Sequence, residues 1–202
     1  MKTIVITGGQ GDIAKAIKEE LIQEYEVLTP SKEELDVTDI DAVGRYFDAH
    51  MPDILINNAG YVKPMSISEC DICSEKRAID INLFGTFNCT SAVLRKNKNA
   101  KIINVGSSAA TKIHGTWSSY CASKAGVVMA TKCWAEDGYD VTCISPGRTQ
   151  TKMRKSLFPD EDTATLLKPE EFAKVIHRAV EGQYDKGTHL NVTRDNVKGL
   201  LK

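Results

Sequence analysis

Short apolar runs alternate with amphipathic helical patterns along the whole chain, and this alternation is the tightest limit on what the sequence can fold into. Thr3-Ile4-Val5-Ile6-Thr7 reads as a buried strand, and the Asp12–Tyr25 segment places Ile13, Ile17 and Leu21 on one helical face. Further strands are expected at Glu26–Thr29, Asp53–Asn57, Lys101–Val105, Val141–Ile144 and Thr188–Val192, with a short extended piece at Leu35–Val37. Helical patterns lie between them at Ile40–His50, Glu75–Lys96, Ser119–Asp137 and Glu170–Glu181, the last opened by Pro169. Strands that alternate with helices form βαβ units, so the expected architecture is α/β: a doubly wound parallel sheet covered on both faces. The interval Pro30–Glu34 is too short for a helical crossover, which takes about ten residues or more. One crossover helix between the second and third strands is therefore expected to be missing.

With 202 residues the chain has the length of one domain, taken here as 1–202. Its 26 Lys+Arg against 27 Asp+Glu give a net charge of -1, without the basic excess that nucleic-acid binding usually needs. No apolar run is long enough to span a membrane, and the N-terminus passes straight into a strand pattern without a signal-peptide core. A soluble, cytoplasmic protein is the expectation. The 6 cysteines read as reduced thiols; Cys70 and Cys73 have CxxC spacing, but no second pair or histidine cluster completes a metal site. His50, His114, His177 and His189 likewise lack ligand spacing and are expected on the surface or in loops.

Two constellations carry chemistry. Thr7-Gly8-Gly9-Gln10-Gly11-Asp12-Ile13-Ala14 follows the first strand and opens the first helix. There a glycine turn lets a pyrophosphate approach backbone N–H groups at a positive helix end. Tyr120 and Lys124 stand at i and i+4 on one helical face, with Ser107 just beyond the Lys101–Val105 strand. A phenol is a poor proton donor or acceptor near neutrality unless a neighbouring cation favours its phenolate, and Lys124 is placed to supply that charge.

Together with Asn57-Asn58-Ala59-Gly60, Asn82–Gly85 and Pro146-Gly147, these features resemble the short-chain dehydrogenase/reductase family, in family order along nearly the whole chain. The resemblance implies a single Rossmann-type domain and a catalytic set of Asn82, Ser107, Tyr120 and Lys124. Tyr120 would be the acid/base, Ser107 would hold the substrate carbonyl, Lys124 would tune Tyr120 and bind the nicotinamide ribose, and Asn82 would position a relay water. It also implies cofactor contacts from Gly8, Gly9, Gln10, Gly11, Asp12 and Ile13, from Asp36 and Val37 at the adenine, and from Asn58, Ala59 and Gly60. Pro146, Gly147, Thr149 and Thr151 would hold the nicotinamide and diphosphate. The family's TGxxxGxG turn is altered here, with Asp12 and Ala14 at two glycine positions.

The sequence after the second strand, Thr29-Pro30-Ser31-Lys32, offers hydroxyls and a cation where an acid would select NAD, so Ser31 and Lys32 favour NADP(H), with NAD(H) the second choice. The implied activity is hydride transfer between the nicotinamide and a small carbonyl or secondary alcohol. The glycine spacing and the missing helix are also similar to sugar-nucleotide reductases and epimerases, and a non-catalytic NADPH sensor is the alternative from another class. Specificity is expected in Lys63–Ser74 and Arg154–Lys168; His114 and Trp117 fall between Ser107 and Tyr120, where the alternatives are a pocket rim or ordinary loop residues, the latter preferred for His114. Apolar Phe84, Phe87, Val128 and Met129 exceed what one sheet face needs, so a homodimer or homotetramer is expected.

Overall fold

In the computed structural model, which describes residues 1–202, the apolar runs become β1 (Thr3–Ile6), β2 (Glu26–Leu28), β3 (Ile54–Asn57), β4 (Lys101–Val105), β5 (Val141–Pro146) and β6 (His189–Val192). They form a six-stranded, all-parallel sheet in the order β2-β1-β3-β4-β5-β6. The chain moves outward from β1 to β2, then returns to the other side of β1 to begin β3. Loops leaving the carboxyl ends of β1 and β3 consequently diverge, which opens a crevice there.

The pleat sorts each strand's side chains between two cores. Ile4, Ile6, Ile54, Ile56, Ile103 and Ile144 pack beneath α1 (Asp12–Leu21), a later helix at Pro169–Val180 and the C-terminal turn at Val197–Leu200. Val5, Leu55, Ile102 and Val141 pack on the other face, beneath α2 (Ile40–Ala49) and the helix at Gly85–Lys96. With both faces covered, the strands read as nearly unbroken apolar runs, the property that made them legible.

The chain differs from expectation after β2. Leu35–Val37 does not join the sheet, so a strand is absent along with the missing crossover helix, and α2 alone carries the chain from β2 to β3. Leu35 and Val37 are buried against Val43, Phe47, Val5 and Leu55. Their spacing imitates a strand because both anchor a turn onto the core. Asp39 then caps α2, its carboxylate accepting from the N–H groups of Asp41 and Ala42.

The single helix expected at Glu75–Lys96 is α3 (Ile72–Ile79), a π-helical turn at Asp80–Phe84, and α4 (Gly85–Lys96). The wider turn carries Asn82, which is fully buried. The remaining helices are α5 (Ser118–Glu136), α6 (Lys152–Leu157), α7 (Pro169–Val180) and α8 (Val197–Leu200). Of the apolar residues expected on an outer face, Phe84, Phe87 and Met129 are exposed, at 55%, 40% and 61%. Val128 is not: it is buried with Val127 and Cys143, so it belongs to the chain's own core.

Candidate active site

The glycine turn is fixed by what lies against it. Thr7 is buried at the end of β1, and its hydroxyl accepts from the N–H groups of Asn58 and Ala59, both at 3.0 Å. Asn58 Nδ2 donates back to the Thr7 carbonyl at 3.0 Å. Gly8 has φ +67°, and a Cβ on it would stand 2.8 Å from Ala59 Cα; one on Gly9 would stand 2.3 Å from the Thr29 carbonyl oxygen. Glycine at both positions is therefore demanded by close packing of three loops.

Gly11 caps α1 with no side-chain hydrogen bond, which leaves the first-turn N–H groups at Asp12 and Ile13 for an outside acceptor, while Gln10 lies exposed on the turn. These groups fit a dinucleotide diphosphate. Asp12, standing where the family has glycine, sends its carboxylate away to accept from the Lys152 N–H at 2.5 Å. The first turn of α1 is thereby tied to the start of α6.

The expected chemical residues do meet. Ser107 follows β4 and caps a short 3-10 turn, its hydroxyl accepting from Ala109 N–H at 3.2 Å. Tyr120 sits half-buried in the first turn of α5, and Lys124, one turn on, is buried with its Nζ donating to the Val105 carbonyl at 2.9 Å. Burial pushes the Tyr120 phenol above its usual range, against a downward pull from the Ser107 hydroxyl and with a smaller upward push from Cys121. Lys124 is not among the groups that set this shift. Its ammonium lies 6.0 Å from the Tyr120 ring centre, aimed at Val105, and is itself brought down to about 8 by burial, with Cys143 acting in the opposite direction.

Asn82 closes the arrangement from the π-helical turn. Its Oδ1 accepts from Tyr61 N–H at 2.7 Å, and its Nδ2 donates to the Tyr61 carbonyl at 2.8 Å and to Ser123 Oγ at 3.1 Å. Ser123 in turn donates to the Tyr120 carbonyl at 2.8 Å. A Cβ on Gly60 would lie 3.5 Å from Asn82 Oδ1 and 4.0 Å from Lys124 Nζ, so the Asn58–Gly60 loop runs past both. Ser123 and Tyr61 were missed by sequence reasoning; the one signal was a serine on an apolar helical face three residues after Tyr120.

Other expected contacts are placed as follows. Pro146 ends β5, Gly147 packs against Thr193, and the buried Thr149 donates its hydroxyl to the Gly147 carbonyl at 3.0 Å. Thr151 caps α6 by accepting from Arg154 N–H at 3.1 Å. At the distant end, Ser31 N–H donates to Glu34 Oε2 at 2.7 Å, Lys32 pairs with Asp36 at 3.6 Å, and Val37 is buried. Over Tyr120, Trp117 lies edge-on at 5.5 Å between ring centres, and Phe158 stacks on Trp117 at 6.1 Å. Arg154 covers Phe158 and is held by Glu161 at 2.6 and 2.7 Å. His114 is exposed beside Trp117. Phe158, Arg154 and Glu161 lie in the Arg154–Lys168 segment where specificity is expected, and the fold brings that segment over Tyr120.

Residues 33–162 match the short chain dehydrogenase family. The chain belongs to that family. The 3-oxoacyl-(acyl-carrier-protein) reductase of Thermotoga maritima is 33% identical over 190 residues, covering 82% of this chain and 76% of that one. The 2,3-dihydro-2,3-dihydroxybenzoate dehydrogenase of Bacillus subtilis is 30% identical over 168 residues, covering 71% of this chain and 64% of its own length. Ligand-free aldohexose dehydrogenase of Thermoplasma acidophilum superposes with a TM-score of 0.83 at 25% identity, covering 95% of this chain and 92% of that chain. The doubly wound fold and the nicotinamide-dependent oxidoreductase class expected from the sequence agree with these relatives. The family match begins downstream of the glycine turn.

In this dehydrogenase scaffold the buried lysine has a cost that can be measured. Its value near 8, against the ordinary 10.5, means that folding favours the neutral amine. The associated stabilisation is complete above the unfolded value and is lost as pH falls through about 8, so at pH 7 the buried ammonium works against folding. Lys124→Met is expected to resist urea better than the wild type at pH 7, with the gain shrinking towards pH 10.5. A variant that is less stable at pH 7 would show that the Val105 hydrogen bond outweighs the burial cost.

Proposed function

We propose that the protein is an NAD(P)(H)-dependent oxidoreductase that reduces a small ketone or aldehyde, or oxidises the matching secondary alcohol. The observation that carries this reading is the meeting of Ser107, Tyr120 and the buried Lys124 at the carboxyl end of β4, beside Gly60 and Asn82. When bound, the nicotinamide supplies or accepts the hydride. Ser107 holds the carbonyl oxygen, and the Tyr120 hydroxyl delivers a proton to that oxygen or receives it back. Reduction consumes a proton and oxidation releases one, so oxidation is favoured as pH rises. Lys124 holds the ribose, and Asn82, with its side chain committed to Tyr61 and Ser123, acts chiefly by fixing the walls around Tyr120. The aromatic cover of Trp117 and Phe158 suits a simple carbonyl compound better than a nucleotide sugar. Tyr120→Phe is expected to lower turnover by about two to four orders of magnitude with little change in cofactor affinity. Near-wild-type turnover on an established carbonyl substrate would remove Tyr120 from the mechanism.

The proposed cofactor preference is NADP(H), since the turn after β2 presents Ser31 and Lys32 and no acid at the strand end. Glu34 already holds the Ser31 N–H and Asp36 holds Lys32, so a 2'-phosphate must displace both carboxylates and the preference should be modest. Calorimetry should give tighter binding of NADPH than of NADH, and Lys32→Glu should abolish the difference. Equal affinities in the wild type would end the proposal.

The exposed Phe84 at the end of the π-helical turn, Phe87 on α4 and Met129 on α5, with Phe87 edge-on to Trp134 at 4.8 Å, support a homodimer through this face. Light scattering at micromolar concentration should give at least twice 22.2 kDa; a monomer would refute it.

A further inference from the structure

A polar seam crosses the sheet on the side of α4 and α5. Asn57, Asn104, Cys143 and His189 stand opposite one another in register on β3, β4, β5 and β6. Asn57 Nδ2 donates to Thr90 Oγ1 and to Asn104 Oδ1, both at 2.9 Å, and Asn104 Nδ2 donates to Thr131 Oγ1 at 2.9 Å. At the far end the fully buried Ser145 hydroxyl lies 2.9 Å from His189 Nε2 and 3.9 Å from Cys143 Sγ. The reductase chemistry derived above uses neither His189 nor Ser145.

The seam reaches the active site through Gly106. A Cβ at Gly106 would fall 2.2 Å from Ser145 Oγ and 2.9 Å from Cys143 Sγ, so the Ser145 hydroxyl fills the space that another residue's side chain would need. Gly106 N–H donates to the Ile144 carbonyl at 3.0 Å, and the next residue is Ser107. The Ser145 hydroxyl is therefore the floor on which the Ser107 segment rests, and its orientation depends on His189.

We propose that His189 is a positioning residue of the active site, acting through its hydrogen bond to Ser145 to hold Gly106 and so the Ser107 hydroxyl in place. The proposal rests on the assignment of Ser107 to the substrate oxygen. The groups that face His189 are Lys132 from α5 and the Cys143 and Ser145 side chains from β5. Burial and Lys132 hold the imidazole below its usual value of 6.5. With the neutral ring's proton on Nδ1, Nε2 accepts from Ser145, whereas an imidazolium can only donate to it; from that tautomer protonation turns the Ser145 hydroxyl away. The resulting loss of rate appears as pH falls below 6.5.

The test compares the wild type with His189→Leu, His189→Gln, Ser145→Ala and Ser107→Ala, using NADPH and 2,3-butanedione and 9,10-phenanthrenequinone as probe carbonyls. His189→Leu and Ser145→Ala should lower kcat about five- to twentyfold, with the carbonyl KM and the calorimetric NADPH Kd within about twofold of wild type. His189→Gln places an amide near the position of Nε2, so it should restore most of kcat and remove the acid limb of the wild-type pH profile. A wild-type kcat in His189→Leu and Ser145→Ala, beside a slow Ser107→Ala, overturns this proposal alone. So does a His189→Gln variant that melts like the wild type yet stays slow or keeps the acid limb. If Ser107→Ala is as fast as wild type, or NADPH binds without oxidation by either carbonyl in every variant, the reading of the active site itself fails.

Discussion

The buried amide contact between Asn57 and Asn104, 2.9 Å from nitrogen to oxygen, fixes the register on which the rest of the molecule depends. In a sheet that is apolar on both faces, hydrophobic burial alone tolerates sliding of one strand against another. A slip by one residue would turn Asn57 or Asn104 to the opposite, wholly apolar core, where nothing replaces Thr90, Thr131 or the other amide. Leaving such an amide unpaired costs about 1–3 kcal/mol per group on top of any apolar mismatch, and Asn57 Oδ1 is already without a partner. The functional loops leave the sheet close behind these residues. Asn58–Gly60 follows Asn57, Gly106–Ser107 comes two residues after Asn104, and Pro146-Gly147 three residues after Cys143, opposite Asn104 on β5. The seam that sets the register also levels the rim of the active site.

On that rim the protein keeps one buried cation. Lys124 is held by a single hydrogen bond to the Val105 carbonyl, with no carboxylate paired to it. Burial without a counter-charge lowers the amine and raises the neighbouring phenol at the same time, and both displacements arise from the scarcity of water in the crevice. Ser107 is the group that draws the phenol back towards neutrality. The stability lost at Lys124 and the acidity tuned at Tyr120 are thus two results of one dry environment.

Most of this was legible because buried parallel strands and amphipathic helices write strong periodic patterns. The strands of the sheet and the helices α1, α2, α5 and α7 stand close to the expected positions, with Ser107 just after β4 and Tyr120 and Lys124 on α5. What escaped has definite physical causes. Leu35 and Val37 alternate like a strand, but their partners are Phe47 and Val43 on a helix rather than a neighbouring backbone. The π-helical turn at Asp80–Phe84 keeps enough helical periodicity to pass for a regular turn, and only the fold shows Asn82 turned inward to Tyr61. His177 and His189 were read as surface or loop residues, yet one bridges α7 to Glu20 on α1 and the other lies on β6 against Ser145. Isolated histidines at positions compatible with an exposed face leave no pattern from which to infer a buried partner.

The absent strand changes how the cofactor end of the crevice has to be built. With β2 as the edge of the sheet, only three residues long, no further strand supports the residues beyond it. Support comes from Leu35 and Val37, two apolar anchors that hold the turn to the second core, with Asn88 Nδ2 donating to the Val37 carbonyl at 2.9 Å. Asp36 between the anchors is tied to Thr38 N–H at 3.0 Å and Thr38 Oγ1 at 2.7 Å. The polar residues beyond β2, Ser31, Lys32 and Glu34, add their own hydrogen bonds and ion pair to a turn that the apolar anchors already hold to the core. Their charge can change without disturbing the sheet. The apolar anchors that hold this turn to the core are thus distinct from the polar groups it presents at the crevice.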